Sequence, residues 1–295
     1  MSANASPENR DKPCPPPQDV QAPPRRFAMP LGAADTHTHV IGASDYVGNR
    51  GYTPTPASAE QYIAVLDAVG LTFGVLVQVS VHGTDNSLML NVLRRYRDRL
   101  RGVAVAPHDL PEAVWRELAE AGVTGLRLNT VSRSGMGVEH LDTYEAVCRE
   151  LGWHLQFISD PRELARLAPR LARLRVPAVL DHMGHFSLSD DDAEASMRLV
   201  RQLVADGAWV KLSGAYRMSR QLDSYADVAP FARRLIEAGP DRCIWGSDWP
   251  HVNHWDRMPG MGELLDLLAD WAPDDASRTR ILVDNPKALY GFPTP

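Results

Sequence analysis

Along most of this chain, short apolar or β-branched runs alternate with longer stretches in which apolar residues recur every three or four positions. The runs predict eight strands, at 33–40 (AADTHTHV), 74–80 (GVLVQVS), 102–107 (GVAVAP), 124–129 (TGLRLN), 154–159 (HLQFIS), 177–182 (PAVLDH), 208–214 (AWVKLSG) and 243–248 (CIWGSD). Amphipathic helices are predicted between them, for example at 59–70, 111–122, 164–174 and 225–239. Several of these stretches end in glycine, the residue that closes helices most readily. Strand–helix alternation repeated eight times predicts a single-domain α/β fold, a (β/α)8 TIM barrel. An open doubly wound sheet would need a glycine-rich phosphate loop after the first strand. Here that strand ends in His37-Thr38-His39.

Two stretches break the rhythm. Residues 1–30 are proline-rich and polar (PCPPPQDVQAPPRR), and too poor in apolar residues to form a core. They predict a flexible or surface-draped N-terminal extension ahead of a barrel domain at 31–295. The segment 40–58 is longer than an ordinary connection, and long loops in compact domains usually carry function.

Composition narrows the partners. The chain has 295 residues, 44% of them hydrophobic, and a net charge of −6. That is enough apolar material for a large core. No basic run suggests nucleic acid, and no apolar run is long enough to cross a membrane. Three widely spaced cysteines (Cys14, Cys148, Cys243) make no disulfide framework, which predicts a reducing cytoplasm.

In a barrel, chemistry collects at the C-terminal ends of the strands. The polar residues expected there are His37 and His39 on strand one and Ser80, His82, Asp85 and Asn86 after strand two. Strand four offers Arg127 and Asn129, with Arg133 beyond, and strand six Asp181 and His182. Strand seven offers Lys211 and Ser213, with Arg217 behind, and strand eight Asp248 and His251. Strand alternation puts His37 and His39 on one face, and Arg127 and Asn129 likewise. The interior mouth is the economical place for such groups. Several arginines near one mouth predict an anionic substrate. His154 starts its strand and so belongs to the opposite, structural end.

DTHTH (35–39), DHMG (181–184) and GSDWPH (246–251), in this order at strand ends, resemble the amidohydrolase superfamily. QVSVHGTDN, GLRLN, GWH and PAVLDHMG are similar to the branch that includes 2-pyrone-4,6-dicarboxylate lactonase. The resemblance spans residues 32–292 and implies hydrolysis of a small anionic, carboxylated lactone. It implies Asp248 as the base that activates water, and His37, His39 and His182 as groups that hold and polarise the lactone carbonyl. Arg127, Arg133, Arg217, Tyr52, Ser80 and His251 would bind substrate. The end of strand five departs from the pattern, with Ile158 where the lactonase has a tyrosine. A metal-dependent decarboxylase and a lactone isomerase are the alternatives within the superfamily.

No cofactor is favoured. Typical single-metal members add a strand-five histidine to the HxH pair and the strand-eight aspartate, and this strand ends Phe157-Ile158-Ser159 instead. Arg127 stands where a metal-bridging lysine or glutamate would be. A single divalent ion such as zinc on His37, His39 and Asp248 is the alternative, because catalytic zinc needs only three protein ligands.

Overall fold

The computed structural model describes residues 12–132 and 135–294. Its eight strands are β1 Ala34–Thr38, β2 Phe73–Val77, β3 Leu100–Ala104, β4 Val123–Asn129, β5 His154–Ile158, β6 Ala178–Leu180, β7 Trp209–Leu212 and β8 Cys243–Trp245. All neighbours from β1 to β8 pair in parallel, in chain order. Helices alternate with the strands: α1 Ala59–Val69, α2 Ser87–Arg95, α3 Glu112–Glu120, α4 Leu141–Leu151, α5 Pro161–Leu171 and α6 Ala193–Ala205. They continue with the short α7 Ala215–Met218, then α8 Ala229–Ala238 and α9 Met261–Asp266. The predicted barrel is the observed one.

Local chemistry accounts for the boundaries. Ser58 caps α1 by accepting from the Gln61 N–H while Gln61 reaches back to Ser58. Gly70 then ends the helix with φ at 80°. Asp160 caps α5 ahead of a proline in its first turn. The helices lay apolar faces on the outside of the sheet, and a smaller cluster that includes Phe73, Val75, Val103, Val179, Trp209 and Ile244 fills the inside. Tyr290 and Phe292 close its lower end.

The seam between β8 and β1 shapes the mouth. It is closed by single hydrogen bonds rather than a ladder. Thr36 Oγ1 donates to Trp245 O (2.7 Å), Asp248 N to His37 O (2.8 Å) and His39 N to Trp249 O (2.9 Å). Asp35 adds a side-chain tie. Its carboxylate accepts from Ser247 Oγ (2.6 Å), Ser247 N (2.8 Å) and Tyr62 OH of α1 (3.1 Å). A Cβ at Gly246 would stand 2.7 Å from His37 Cβ, so only glycine lets β8 approach the strand-one histidines this closely.

Residues 12–30 lie along the barrel surface. Arg25 N and Arg26 N donate to Asp266 (2.8 and 2.9 Å), and Gln18 Nε2 donates to Met258 O (2.7 Å). No helix among the described residues is long and apolar enough to cross a membrane.

Candidate active site

β1 carries the first two site residues through a fault in its pairing. Ala34 packs inside with Phe73 and Val75, and Asp35 points outward to Tyr62. The register between β1 and β2 is irregular between Asp35 and Thr38. Such an irregularity resets side-chain alternation, and beyond it His37 and His39 face the interior.

β6 and β8 end early for a related reason. The ladder stops at Leu180 and at Trp245. His182, Met183, Gly184 and His185 all have positive φ, as do Asp248 and His251. Left-handed backbone at non-glycine residues is costly and collects at functional sites. Here it swings His182 and Asp248 into the mouth, and Asp181 and His182 face one site although they are consecutive.

Asp248 is the hub. It is 1% exposed. Its Oδ2 accepts from Tyr216 OH (2.6 Å) and Arg217 Nε (2.7 Å). Its Oδ1 faces His39 Nε2 at 3.6 Å, His37 Nε2 at 3.8 Å and His182 Nε2 at 4.0 Å. Burial pushes the Asp248 pKa up, but the Arg217 guanidinium and the surrounding imidazoles outweigh it and hold the group well below the usual carboxylate range. Burial lowers His182 well below its ordinary value.

The far ring nitrogens are also occupied. His39 Nδ1 lies 2.7 Å from Val77 O, His182 Nδ1 3.0 Å from Ser213 Oγ, and His37 Nδ1 3.2 Å from Asp181 Oδ1. A carbonyl oxygen only accepts, so His39 Nδ1 donates to Val77 O and Nε2 is left facing Asp248.

Beneath this layer lies a charged floor. The Lys211 ammonium, fully buried, donates to Gln156 Oε1 (2.7 Å) and Thr36 O (2.8 Å). It stands 3.7 Å from Asp181 Oδ1 and 3.4 Å from His37 Nδ1. Gln156 Nε2 donates to the other Asp181 oxygen (2.9 Å). Burial raises Asp181, yet His37 and Lys211 together hold it far below its ordinary value. Burial pushes Lys211 down to about 8 and His37 down to about 4.

The Lys211 shift sets a pH dependence. The folded chain gives up this proton at about 8, and an unfolded chain holds it to 10.5. The unfolded state therefore binds more protons in that window, and this group's contribution to stability rises with pH across it. Activity is expected to fall with an alkaline midpoint near 8 as Asp181 loses its ammonium. Urea melts beside a pH–rate profile check both signs. Activity and stability declining together from pH 8 would contradict the assignment.

Around the rim, Arg127 is 4% exposed, and its Nη2 donates to Gln78 O (2.6 Å) while Nε has no partner. Arg217 Nη2 donates to Val252 O (2.7 Å). Tyr52 OH lies 3.4 Å from Ser80 Oγ. His251 is fully buried, with neither ring nitrogen hydrogen-bonded and its ring edge-on to Tyr216. Arg133 lies outside the described residues. The structure thus gathers His37, His39, His182 and Asp248 around one point. It gives Arg217 a task the sequence did not suggest, fixing Asp248. Tyr216 and Gln156 were not singled out by sequence. Gln156, a polar residue inside the apolar run HLQFI, was the readable signal.

The donor set fits a divalent cation. His37, His39 and Asp248, and also His37, Asp181 and His182, offer ligand atoms within 4.8 Å of one another. In the first set each ring's other nitrogen has a partner outside it, as in metal-binding histidines.

The profile of the Amidohydrolase family matches residues 34–292. The chain belongs to this family. As an amidohydrolase it is 38% identical over 289 residues to a 4-sulfomuconolactone hydrolase of Rhizobium radiobacter, covering 95% of this chain and 96% of the relative. It is 35% identical over 280 residues to a 2-pyrone-4,6-dicarboxylate hydrolase of Comamonas testosteroni, covering 90% of this chain and 92% of the relative. Among solved structures, a probable 2-pyrone-4,6-dicarboxylic acid hydrolase of Acinetobacter baumannii with citric acid bound superposes with a TM-score of 0.79. That pair is 29% identical over 89% of this amidohydrolase and 100% of the other chain.

Proposed function

We propose that this amidohydrolase opens the lactone ring of a small carboxylated substrate by attack of water. One observation carries the reading. Asp248 keeps one oxygen saturated by Tyr216 and Arg217, and turns the other into a ring of imidazole nitrogens at the barrel mouth. The names of the two hydrolase relatives support the same reaction class.

Water held between Asp248 Oδ1 and the His39 Nε2 lone pair would donate to both. Asp248 takes its proton as the oxygen attacks the ester carbon. With Ser213 donating to His182 Nδ1, His182 carries its proton on Nε2 and donates to the developing oxyanion. Asp248 then returns the proton to the leaving ring oxygen. Arg127, with an unused Nε, and the Tyr52–Ser80 pair receive substrate carboxylates, and Arg133 and His251 complete the binding set. A reducing cytoplasm suits three buried, unpaired cysteines.

We favour a reaction without a metal. Arg217 and Lys211 already compensate the two buried carboxylates, and a dication would add charge beside them. A specific observation favours a second reading: His39 keeps its Nδ1 on Val77 O and turns Nε2 toward an Asp248 oxygen. A divalent ion held by His37, His39 and Asp248 would supply water activation at neutral pH.

The test is the purified protein, its metal content measured, on a panel of carboxylated lactones with and without chelator. Ring-opened product that persists in chelator is expected. Loss on chelation with recovery on zinc would move the assignment to the second reading. A rearranged lactone would make it an isomerase, and carbon dioxide release a decarboxylase.

Arg127→Met is expected to raise KM for such a lactone ten- to a hundredfold, with kcat changed much less, because a charge-assisted hydrogen bond is worth about 1.5–3 kcal/mol. Steady-state kinetics check it, and an unchanged KM would remove Arg127 from the binding set.

A further inference from the structure

The proline-rich stretch is bound at one point to both walls of the mouth. Cys14 N donates to Thr53 O (2.8 Å), and Thr55 Oγ1 donates back to Cys14 O (2.6 Å). Both partners follow directly after Tyr52 on the same loop. On the other side Asn253 N donates to Cys14 Sγ (3.3 Å). The residue before it, Val252, receives Arg217 Nη2, and Arg217 in turn holds Asp248. Asn253 keeps a left-handed φ of 56° at this point, a conformation that needs support from its surroundings.

Cys14 is 3% exposed in a segment whose composition promises no core. The strap is fastened beyond it as well. Trp255 Nε1 donates to Pro13 O (3.1 Å), Met261 N to Gln21 Oε1 (2.8 Å), and Arg26 pairs with Asp270. Pro15, Pro16 and Pro17 suit such a strap, since they fix φ and carry no N–H that would need a partner. Burial raises the Cys14 thiol pKa, so the sulfur at the clamp is neutral.

We infer that Cys14 is a positioning residue, clamping the Tyr52 loop to the 252–254 loop and so holding the anion-binding walls of the mouth at their working separation. This rests on the lactone-hydrolase reading for its substrate. It makes the N-terminal stretch part of the site's architecture.

The experiment uses the full chain with Cys14→Ala, Thr55→Val, the double variant and Cys14→Ser. Three quantities are read: hydrogen exchange at 51–55 and 252–256, calorimetric affinity for citrate as an anionic probe, and kinetics on the lactone turned over. In the double variant, protection is expected to fall in both segments together. Citrate affinity should weaken about tenfold and KM rise about tenfold, with kcat reduced less than threefold. Cys14→Ser, which keeps an acceptor at this position, should stay within about twofold of the parent in affinity. Loss of protection in only one segment, or in both with citrate affinity unchanged, would overturn the clamp. Equal falls in kcat and affinity would make it a general structural prop and also overturn it. A parent chain that binds citrate but opens no lactone would sink the hydrolase reading and leave the clamp measurable. A parent that binds no citrate would remove the anionic mouth the clamp is said to hold.

Discussion

Asp248→Asn is expected to reduce kcat by about a thousandfold while KM changes little. The carboxamide keeps the shape of the side chain and an oxygen for Tyr216 and Arg217, which lie 2.6 and 2.7 Å from the present carboxylate. It cannot take a proton from water. General-base catalysis contributes about 10²–10⁴-fold, and Asp248 is asked both to remove the proton and to return it, which argues for the upper half of that range. Its pKa lies well below the carboxylate range, so it is ionised throughout the neutral region, and the acid limb of the pH profile must belong to another group. Steady-state kinetics with a far-ultraviolet spectrum to establish folding decide the matter. A folded variant within tenfold of the parent turnover would remove Asp248 as the base.

The strand ends were legible because their chemistry interrupts apolar runs. All eight strands were readable, and the histidines and aspartate they carry were found at the mouth. Alternation correctly put His37 and His39 on one face, but other directions were not readable. Alternation alone would set Asp181 and His182 on opposite faces. Both reach the site because the chain leaves the ladder at Leu180 and turns left-handed from His182. The β1 irregularity that turns His37 inward leaves no mark in DTHTH. β3 begins at Leu100 rather than 102, since RLRG continues a helix-like pattern into the strand. Arg217 read as a substrate arginine, and its bond to Asp248 depends on a turn after β7 that composition does not reveal. The N-terminal strap was opaque for a different reason. Its partners are about 240 residues away in sequence, and composition describes what a segment cannot bury, not what it can lie against.

Lys211→Met is expected to destabilise the fold by about 3–5 kcal/mol, because Thr36 O and Gln156 Oε1 are each left buried without their donor, at about 1–3 kcal/mol apiece. At about 2–4 °C per kcal/mol for a large domain, the melting temperature should fall by roughly 10 °C. Methionine fills similar volume, so the loss is not a cavity but the two Nζ hydrogen bonds, which the neutral amine above about pH 8 still makes. Without the ammonium, Asp181 keeps only His37 and the Gln156 amide, and Thr36 O and Gln156 Oε1 lose their donor. The uncompensated carboxylate should then pull His37 toward its protonated form, easing the present depression to about 4, whose first cause is burial. That would place a charge beside Asp248 and raise the acid limb of the pH–rate profile. The double variant Lys211→Met, Asp181→Asn also removes the stranded carboxylate and is expected to recover part of the lost stability, with Thr36 O and Gln156 Oε1 still lacking a donor. It should not recover activity, because the amide no longer orders His37 as the carboxylate does. Thermal melts of the parent, both single variants and the double variant give the coupling directly. A Lys211→Met melting temperature within about 3 °C of the parent, or a double variant no more stable than the single, would show that the floor of the site is not held by this pair.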